Sequence, residues 1–416
     1  MFKSMCPGHL SVAIGIAGVV AVLTAGCSSG HGSASREASS SGGAASSAFA
    51  GSGDPIKIGV ISSNSGSQAS SSSQASTVAP AWADYVNDEL GGIGAHPVQV
   101  VIADDKGDPA SAQAAGKSLI GQGVVALLVG SDNLLTAYDQ DFISSGVPMV
   151  SGPANSAEWY SKPDMYPTPT YKYSGLKAQL LVAKEFGKAT KVANVFCSEV
   201  PACAESNSFY EKTAAELGLK FTSQPVSSTA TSYTAECLSL QQHEVDYALL
   251  SIATAVTTKF VQDCQAQGYD PGWGTSEQSI GPALFEIPNV TMYGPAYAFP
   301  SVADSPAVKT FVRVMEKYAK ADNWREGTGS FAWGGLEMIR KALTGVQANE
   351  SVTAKTVAAG LEAVRNENLG GLLANKVTFT AGRIPKIDGN PCYFIVEVKD
   401  GKTVAPNGST PVCPNP

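Results

Sequence analysis

Apolar and polar positions along the chain switch between two periods. Ile56 to Ile61 (IKIGVI) is an apolar run of strand length, followed by a Ser/Gly loop from Ser62 to Ser73. Ala79, Trp82, Ala83, Val86 and Leu90 then recur at i, i+3, i+4, i+7 and i+11, one apolar face of a helix with Pro80 in its first turn and Gly91-Gly92 at its end. The alternation continues through strand Val98–Ile102, helix Ala110–Ile120, strand Ala126–Val129, helix Leu134–Ser144 and strand Met149–Val150, separated by Gly, Pro or Asp. Strands alternating with helices predict a parallel sheet covered by helices.

A second series begins after Tyr166-Pro167-Thr168-Pro169-Thr170. It reads as helix Leu176–Phe186, strand Lys191–Phe196, helix Ser206–Leu217, strand Phe221–Gln224, helix Cys237–Gln242, strand Tyr247–Ser251 and helix Val256–Gln267. Strand Val290–Gly294, helices Val308–Ala321, Gly329–Leu343 and Ala354–Val364, and strands Lys376–Phe379 and Cys392–Val398 complete the pattern. The chain is therefore α/β with two lobes. Parallel sheets bind ligands beyond the carboxyl ends of their strands, so two facing lobes predict a cleft lined by strand-to-helix loops, here rich in Ser and Asn.

The N-terminus changes the compartment. Lys3, a largely apolar stretch from Leu10 to Leu23, and Leu23-Thr24-Ala25-Gly26-Cys27 form an export signal. The apolar run falls short of the roughly 20 residues that a membrane span needs. From Ser28 to Asp54 nearly every residue is Ser, Gly or Ala, a composition that buries too little apolar surface to offset its ordering entropy. As a flexible coil it would reach about 30 Å. Setting Cys6 and Cys27 aside leaves Cys197, Cys203, Cys237, Cys264, Cys392 and Cys413, an even set that suits an oxidising compartment. Proximity in sequence favours pairing each with the next, although six cysteines permit other pairings.

Composition excludes several functions. With 44% apolar residues the 416-residue chain can build full cores. A net charge of -8 and a pI near 5.1, with no basic run, exclude a nucleic-acid partner, which would need clustered Lys and Arg. No G-x-S-x-G elbow, dinucleotide fingerprint or Walker A motif occurs. Beyond the signal the only histidines are His31 in the tether, His96 at an expected surface turn, and His243 in a polar Gln-His-Glu stretch, too few for a Ser-His hydrolase or a zinc site. The acidic pairs Asp104-Asp105 and Asp139 with Asp141 read as scaffold or solvated helix surface. The expectation is a binding protein with no cofactor, not an enzyme.

The Leu-Thr-Ala-Gly-Cys run resembles the bacterial lipobox, which implies a signal peptide over 1–26, lipid attachment at Cys27 and a tether over 27–54. The opening IKIGV strand, Asp104-Asp105-Lys106-Gly107-Asp108-Pro109 before an Ala-rich helix, and Gly146-Val147-Pro148-Met149-Val150 before a Ser/Pro/Ala loop resemble, in order and spacing, type I periplasmic binding proteins. The resemblance is to the leucine/isoleucine/valine-binding family of ABC transporters and covers about Asp54 to Lys402. It implies three hinge crossovers, near Tyr171, Phe299 and Asn375. One lobe then comprises 55–171 and 300–375, the other 172–299 and 376–416. The implied partners are a small solute, an ABC permease with its ATPase subunits, and the membrane through the lipid. The expected protein is a monomer on the outer or periplasmic face of the bacterial cell membrane.

In the family's amino-acid binders, a hydroxyl loop after the third strand and the backbone of the next loop grip the ligand carboxylate. Those loops here are Gly130-Ser131-Asp132-Asn133 and Ser151-Gly152-Pro153-Ala154-Asn155-Ser156, so the resemblance implies contacts at Ser131, Asp132, Ala154, Asn155 and Ser156. Neutral donors suit a carboxylate because they fill its lone pairs without a buried counter-charge. Alternatively such side chains only cap the following helices. The family's aromatic roof falls at Ser70 to Ser73, placing Ser72 there, and its aromatic walls fall at Ala253 and at Pro201-Ala202-Cys203. Tyr138, Trp159, Tyr171 and Tyr297 are candidate replacements. Glu277, in Gly274-Thr275-Ser276-Glu277-Gln278, matches the acid that pairs with the ligand ammonium, or is a solvated loop charge. The solute is then an amino acid, including the branched-chain ones, or a related carboxylate; an aromatic acid, an amide, or a sensing role for the same fold are the alternatives.

Overall fold

The computed structural model describes residues 51–414 except 67, 169–171, 200, 326 and 381–391. Cys27, the signal segment and Tyr171 lie outside the described residues. One compact unit spans Ala48–Pro416.

The first sheet contains β1 (Ile56–Ser62), β2 (Val98–Asp104), β3 (Ala126–Val129), β4 (Met149–Ser151) and β5 (Met165–Tyr166), in the order β2-β1-β3-β4-β5 and all parallel. Its central strands are covered on both faces, so β3 and β4 are fully buried and β1 is buried except at Lys57, while the edge strand β2 is mostly half-exposed. Ile58, Val60, Leu128 and Val150 point into one core with Trp82, Phe311 and Trp333. Ile61, Leu127, Val129 and Met149 point into another with Leu119, Phe142 and Trp159. Helices Pro306–Tyr318 and Gly329–Ala342, far away in sequence, supply Phe311 and Trp333, whose ring centroids lie 5.2 Å apart.

The second sheet holds β6 (Lys191–Cys197), β7 (Lys220–Val226), β8 (Tyr247–Ser251), β9 (Gly272–Thr275), β10 (Thr291–Ala296), β11 (Phe394–Lys399) and β12 (Lys402–Val404). Its order is β12-β11-β10-β9-β8-β6-β7, parallel up to β10, with β11 and β12 antiparallel. The chain thus enters the second sheet after β5, leaves it after β10, and returns to it at β11. The two later connections run side by side: Phe299 N–H donates to the Leu372 carbonyl at 3.0 Å and Ala374 N–H to the Tyr297 carbonyl at 3.2 Å. Disulfides join Cys197–Cys203, Cys237–Cys264 and Cys392–Cys413, the pairing that proximity favours.

Several expectations change. The first long helix is Ala75–Leu90, so Pro80 lies in its second turn, and Leu90 is exposed. The expected helix Leu134–Ser144 divides at Tyr138 into a short turn, Leu135–Ala137, and a helix, Asp139–Ser145. Lys376–Phe379 makes only a bridge between Val377 and Glu367. His96 is buried, its ring nitrogens 2.7 Å from the Asp54 carbonyl and 3.0 Å from that of Gln347, so the end of the Ser/Gly/Ala stretch is bound to the body at Asp54. Asp139 is also buried, in an ion pair with Lys162.

Candidate functional site

A cleft of about 470 Å³ opens between the two sheets, a volume suited to a small solute. Loops at the carboxyl ends of β1, β3 and β4 line one side, and loops after β6, β8, β9 and β10 line the other, with the start of helix Gly329–Ala342 between them.

The Asp104-to-Pro109 stretch braces the first of these loops. Asp104 Oδ1 accepts the backbone N–H groups of Asn64 at 2.9 Å and Lys106 at 2.8 Å, and its Oδ2 accepts the Ser65 hydroxyl at 2.7 Å. Asp108 caps helix Pro109–Gly121 by accepting Ser111 N–H at 2.8 Å. Gly66, at φ +82°, is needed there because a Cβ would stand 2.4 Å from the Lys106 carbonyl oxygen. The motif is therefore structural: it fixes the loop that carries Ser71 and Ser72 to the cleft.

Ser72, Ser131, Asp132, Asn155, Ser156, Ala253 and Glu277 all line the cleft. Ala154 does not; it is buried in the core beside Trp159. The Asp132 carboxyl is buried, and its Oδ2 accepts Asn155 N–H at 2.5 Å, Ser156 N–H at 2.8 Å and Trp159 Nε1–H at 3.1 Å. Its Oδ1 accepts Asn155 Nδ2–H at 3.4 Å. The backbone donors expected to grip a ligand carboxylate are thus engaged by the protein's own acid. Burial raises the Asp132 carboxyl above the usual range, against the lowering effect of these donors.

Glu277 differs. Its carboxyl is buried at the start of a short turn, Glu277–Ser279; Oε1 accepts the Ser330 hydroxyl at 2.8 Å, and Oε2 has no partner. Burial pushes this carboxyl well above the ordinary value of 4.5, and one hydroxyl donor offsets little of that. It is not a solvated loop charge.

Of the aromatic candidates among the described residues, Tyr297 alone reaches the cleft, its hydroxyl donating to the Gly175 carbonyl at 2.9 Å. Tyr138 and Trp159 are core residues. The two sides touch at Ser71 and Thr254. Thr254 Oγ1 donates to the Ser279 carbonyl at 2.9 Å, so the Ser71 hydroxyl, 3.3 Å away, donates to Thr254 Oγ1 and accepts Thr254 N–H at 3.3 Å. Among the described residues no group of His, Cys, Asp and Glu is placed to hold a metal.

A family model described as "Periplasmic binding protein" matches residues 55–403, most of the chain. The chain belongs to the periplasmic binding protein family. Members of that family are exported and bind solutes without transforming them. The fold resembles a branched-chain amino acid ABC transporter protein from Thermus thermophilus with bound valine (TM-score 0.72, 18% identity, 86% of this chain and 96% of that one). It also resembles the substrate-binding protein LivJ from Streptococcus pneumoniae in complex with isoleucine (TM-score 0.69, 17% identity, 86% and 100%). A fatty acid ABC transporter substrate-binding protein from Thermomonospora curvata is equally similar (TM-score 0.68, 18% identity, 85% and 92%). No curated protein matches the sequence significantly. Among the described residues no helix is long and apolar enough to cross a membrane.

Within this periplasmic-binding fold, sequence reasoning missed Phe331, Gln179, Ser330 and the Ser71–Thr254 contact. Thr328-Gly329-Ser330 at a helix start was the available signal for Ser330. For Gln179, mid-helix in Lys172–Glu185, there was none.

Proposed function

We propose that this chain is the solute-binding component of an ABC importer, and that its solute carries a protonated amine which Glu277 holds as the lobes close. The observation that carries the reading is the unpartnered Glu277 Oε2, buried in a cleft. A buried carboxylate with one donor is costly, and an ammonium supplies the missing charge and hydrogen bonds together. Tyr297, Phe331, Leu176, Leu250 and Ile252 give the remainder of the solute an apolar wall of amino-acid-like size. The neighbours crystallised with valine and isoleucine support an importer of amino acids or related amines.

In this reading residues 55–171 with 300–375 form one lobe and 172–299 with 376–416 the other, hinged at their crossovers. Lipid on Cys27 tethers a monomer to the outer face of the cell membrane, where it feeds a permease and its ATPase subunits.

The test is thermal unfolding of the purified chain against amino acids, their amides and simple amines. A solute at 100 times its dissociation constant adds about 2.7 kcal/mol. A rise in melting temperature with an amine-bearing solute, lost in Glu277→Ala, supports the reading; no response to any amine, or a response that survives the substitution intact, removes it.

A further inference from the structure

We infer that the cleft selects an amine lacking a free carboxylate, such as an amide, an amino alcohol or an alkylamine, over the parent amino acid. The inference rests on the amine reading of Glu277 and adds what the opposite wall rejects.

The loop after β4 turns the backbone N–H groups of Asn155 and Ser156 toward the end of β3. Paired N–H groups of this kind are what a solute carboxylate would use. Asp132 Oδ2 already sits on both, and on the Trp159 indole N–H. That occupancy holds whether the Asp132 carboxyl is ionised or protonated, because an oxygen accepts in either case. A solute carboxylate entering here would lose its water and find these donors taken.

Nor does the cleft offer a compensating charge. Among the described residues its lining includes Asp132, Glu158, Glu205 and Glu277 but no Lys, Arg or His. Glu158 and Glu205 are partly or fully exposed and weakly felt; Asp132 and Glu277 are buried, where charges are screened least. An ammonium is attracted and a carboxylate repelled. For a solute carrying both, the first end gains and the second end loses, so removing the carboxylate improves the fit. A carboxamide keeps the shape, removes the charge, and brings N–H donors that an acidic lining can accept.

The deciding experiment is calorimetry and thermal shift on the unaltered purified chain with matched triplets: leucine, leucinamide and 3-methylbutylamine; phenylalanine, phenylalaninamide and phenethylamine; alanine, alaninamide and ethylamine. The expected result is an amide or amine that binds at least about tenfold more tightly than its parent acid, since an unmet charged hydrogen bond is worth that much or more. An amino acid that equals or exceeds its amide overturns the inference; if its binding is lost in Glu277→Ala, the amine reading still stands. Silence across every triplet overturns both. Asp132→Ser would free the donors and is expected to shift the ranking about tenfold toward the acids. A folded variant with an unchanged ranking overturns the role of Asp132, and if the variant does not fold, the ranking of the unaltered chain still decides.

Discussion

Asp132 and Glu277 are both buried carboxyls on the wall of one cleft, and both rise above the ordinary carboxylate range through desolvation. Asp132 receives four N–H donors, from Asn155, Ser156 and Trp159, all within its own wall. Glu277 receives one hydroxyl, from Ser330, and keeps Oε2 bare. Equal burial with unequal satisfaction separates a structural acid from a receptive one. Burial alone marks neither as a binding residue; the unmet oxygen in the cleft lining is what supports the role proposed for Glu277.

The strongest way to break this comparison is to remove each acid in turn. Asp132→Ala strands two backbone N–H groups and an indole N–H, each worth about 1–3 kcal/mol when left unpaired, so a loss of about 3 kcal/mol in unfolding free energy is expected by denaturant titration. Glu277→Ala removes an incompletely solvated charge and should leave stability unchanged or raised, while amine affinity falls about 100-fold, as for one partner of a buried pair. A reversed pattern, with Glu277 carrying stability and Asp132 the affinity, would exchange the two roles.

Much of this contrast was readable in the sequence, but not its sign. Strands such as Ile56–Ile61 and Ala126–Val129 were legible because both faces are buried and the runs are apolar apart from the exposed Lys57. β9, Gly272–Thr275, was not, because glycine is a poor strand former. Those glycines are required by packing: a Cβ on Gly272 or Gly274 would lie 2.4 or 2.6 Å from the Tyr247 ring. Asp132, Asn155 and Ser156 were found as a set through loop position, yet which of them holds which depends on side-chain direction across 23 and 24 residues of sequence separation. Ser330, at a separation of 53 from Glu277, approaches only because helix Gly329–Ala342, packed on the first sheet against helix Ala75–Leu90, starts at the cleft.

A smaller and more specific contrast is expected with pH. Glu277 has a folded-state pKa raised above its unfolded value, so between the two the native chain holds a proton that the unfolded chain has released. Stability of the unliganded protein therefore falls as pH rises above about 4.5 toward the raised value. Asp132 and Asp105, also raised, give slopes of the same sign. Glu277→Gln should flatten the curve by Glu277's share alone, and the difference between the two proteins isolates it. Amine binding runs the other way: an ammonium pairs with the ionised carboxylate, so affinity should strengthen with pH in the same window, by at most about tenfold per unit for one released proton. An affinity that is flat with pH, or unchanged by Glu277→Gln, would mean that Glu277 does not meet the charge.

The smallest expected effect concerns the contact that brings the two walls together. Helix Thr254–Ala266 begins at Ala253, which offers no side-chain cap, so its first N–H groups need acceptors from elsewhere. Ser71, from the loop after β1, accepts Thr254 N–H and donates to Thr254 Oγ1. A residue from one side thus caps a helix of the other, and in the proposed hinge motion opening of the cleft would break this contact. Ser71→Ala removes both hydrogen bonds without touching either acid. A neutral hydrogen bond contributes about 0.5–1.5 kcal/mol, so solute affinity should fall about three- to tenfold through faster release, with the amide-to-acid ranking unchanged. Rapid-mixing kinetics would separate the cases. A slower association with an unaltered release rate would place this contact in the encounter of solute and open cleft instead of in the closed state, and would leave the helix start to be satisfied by water.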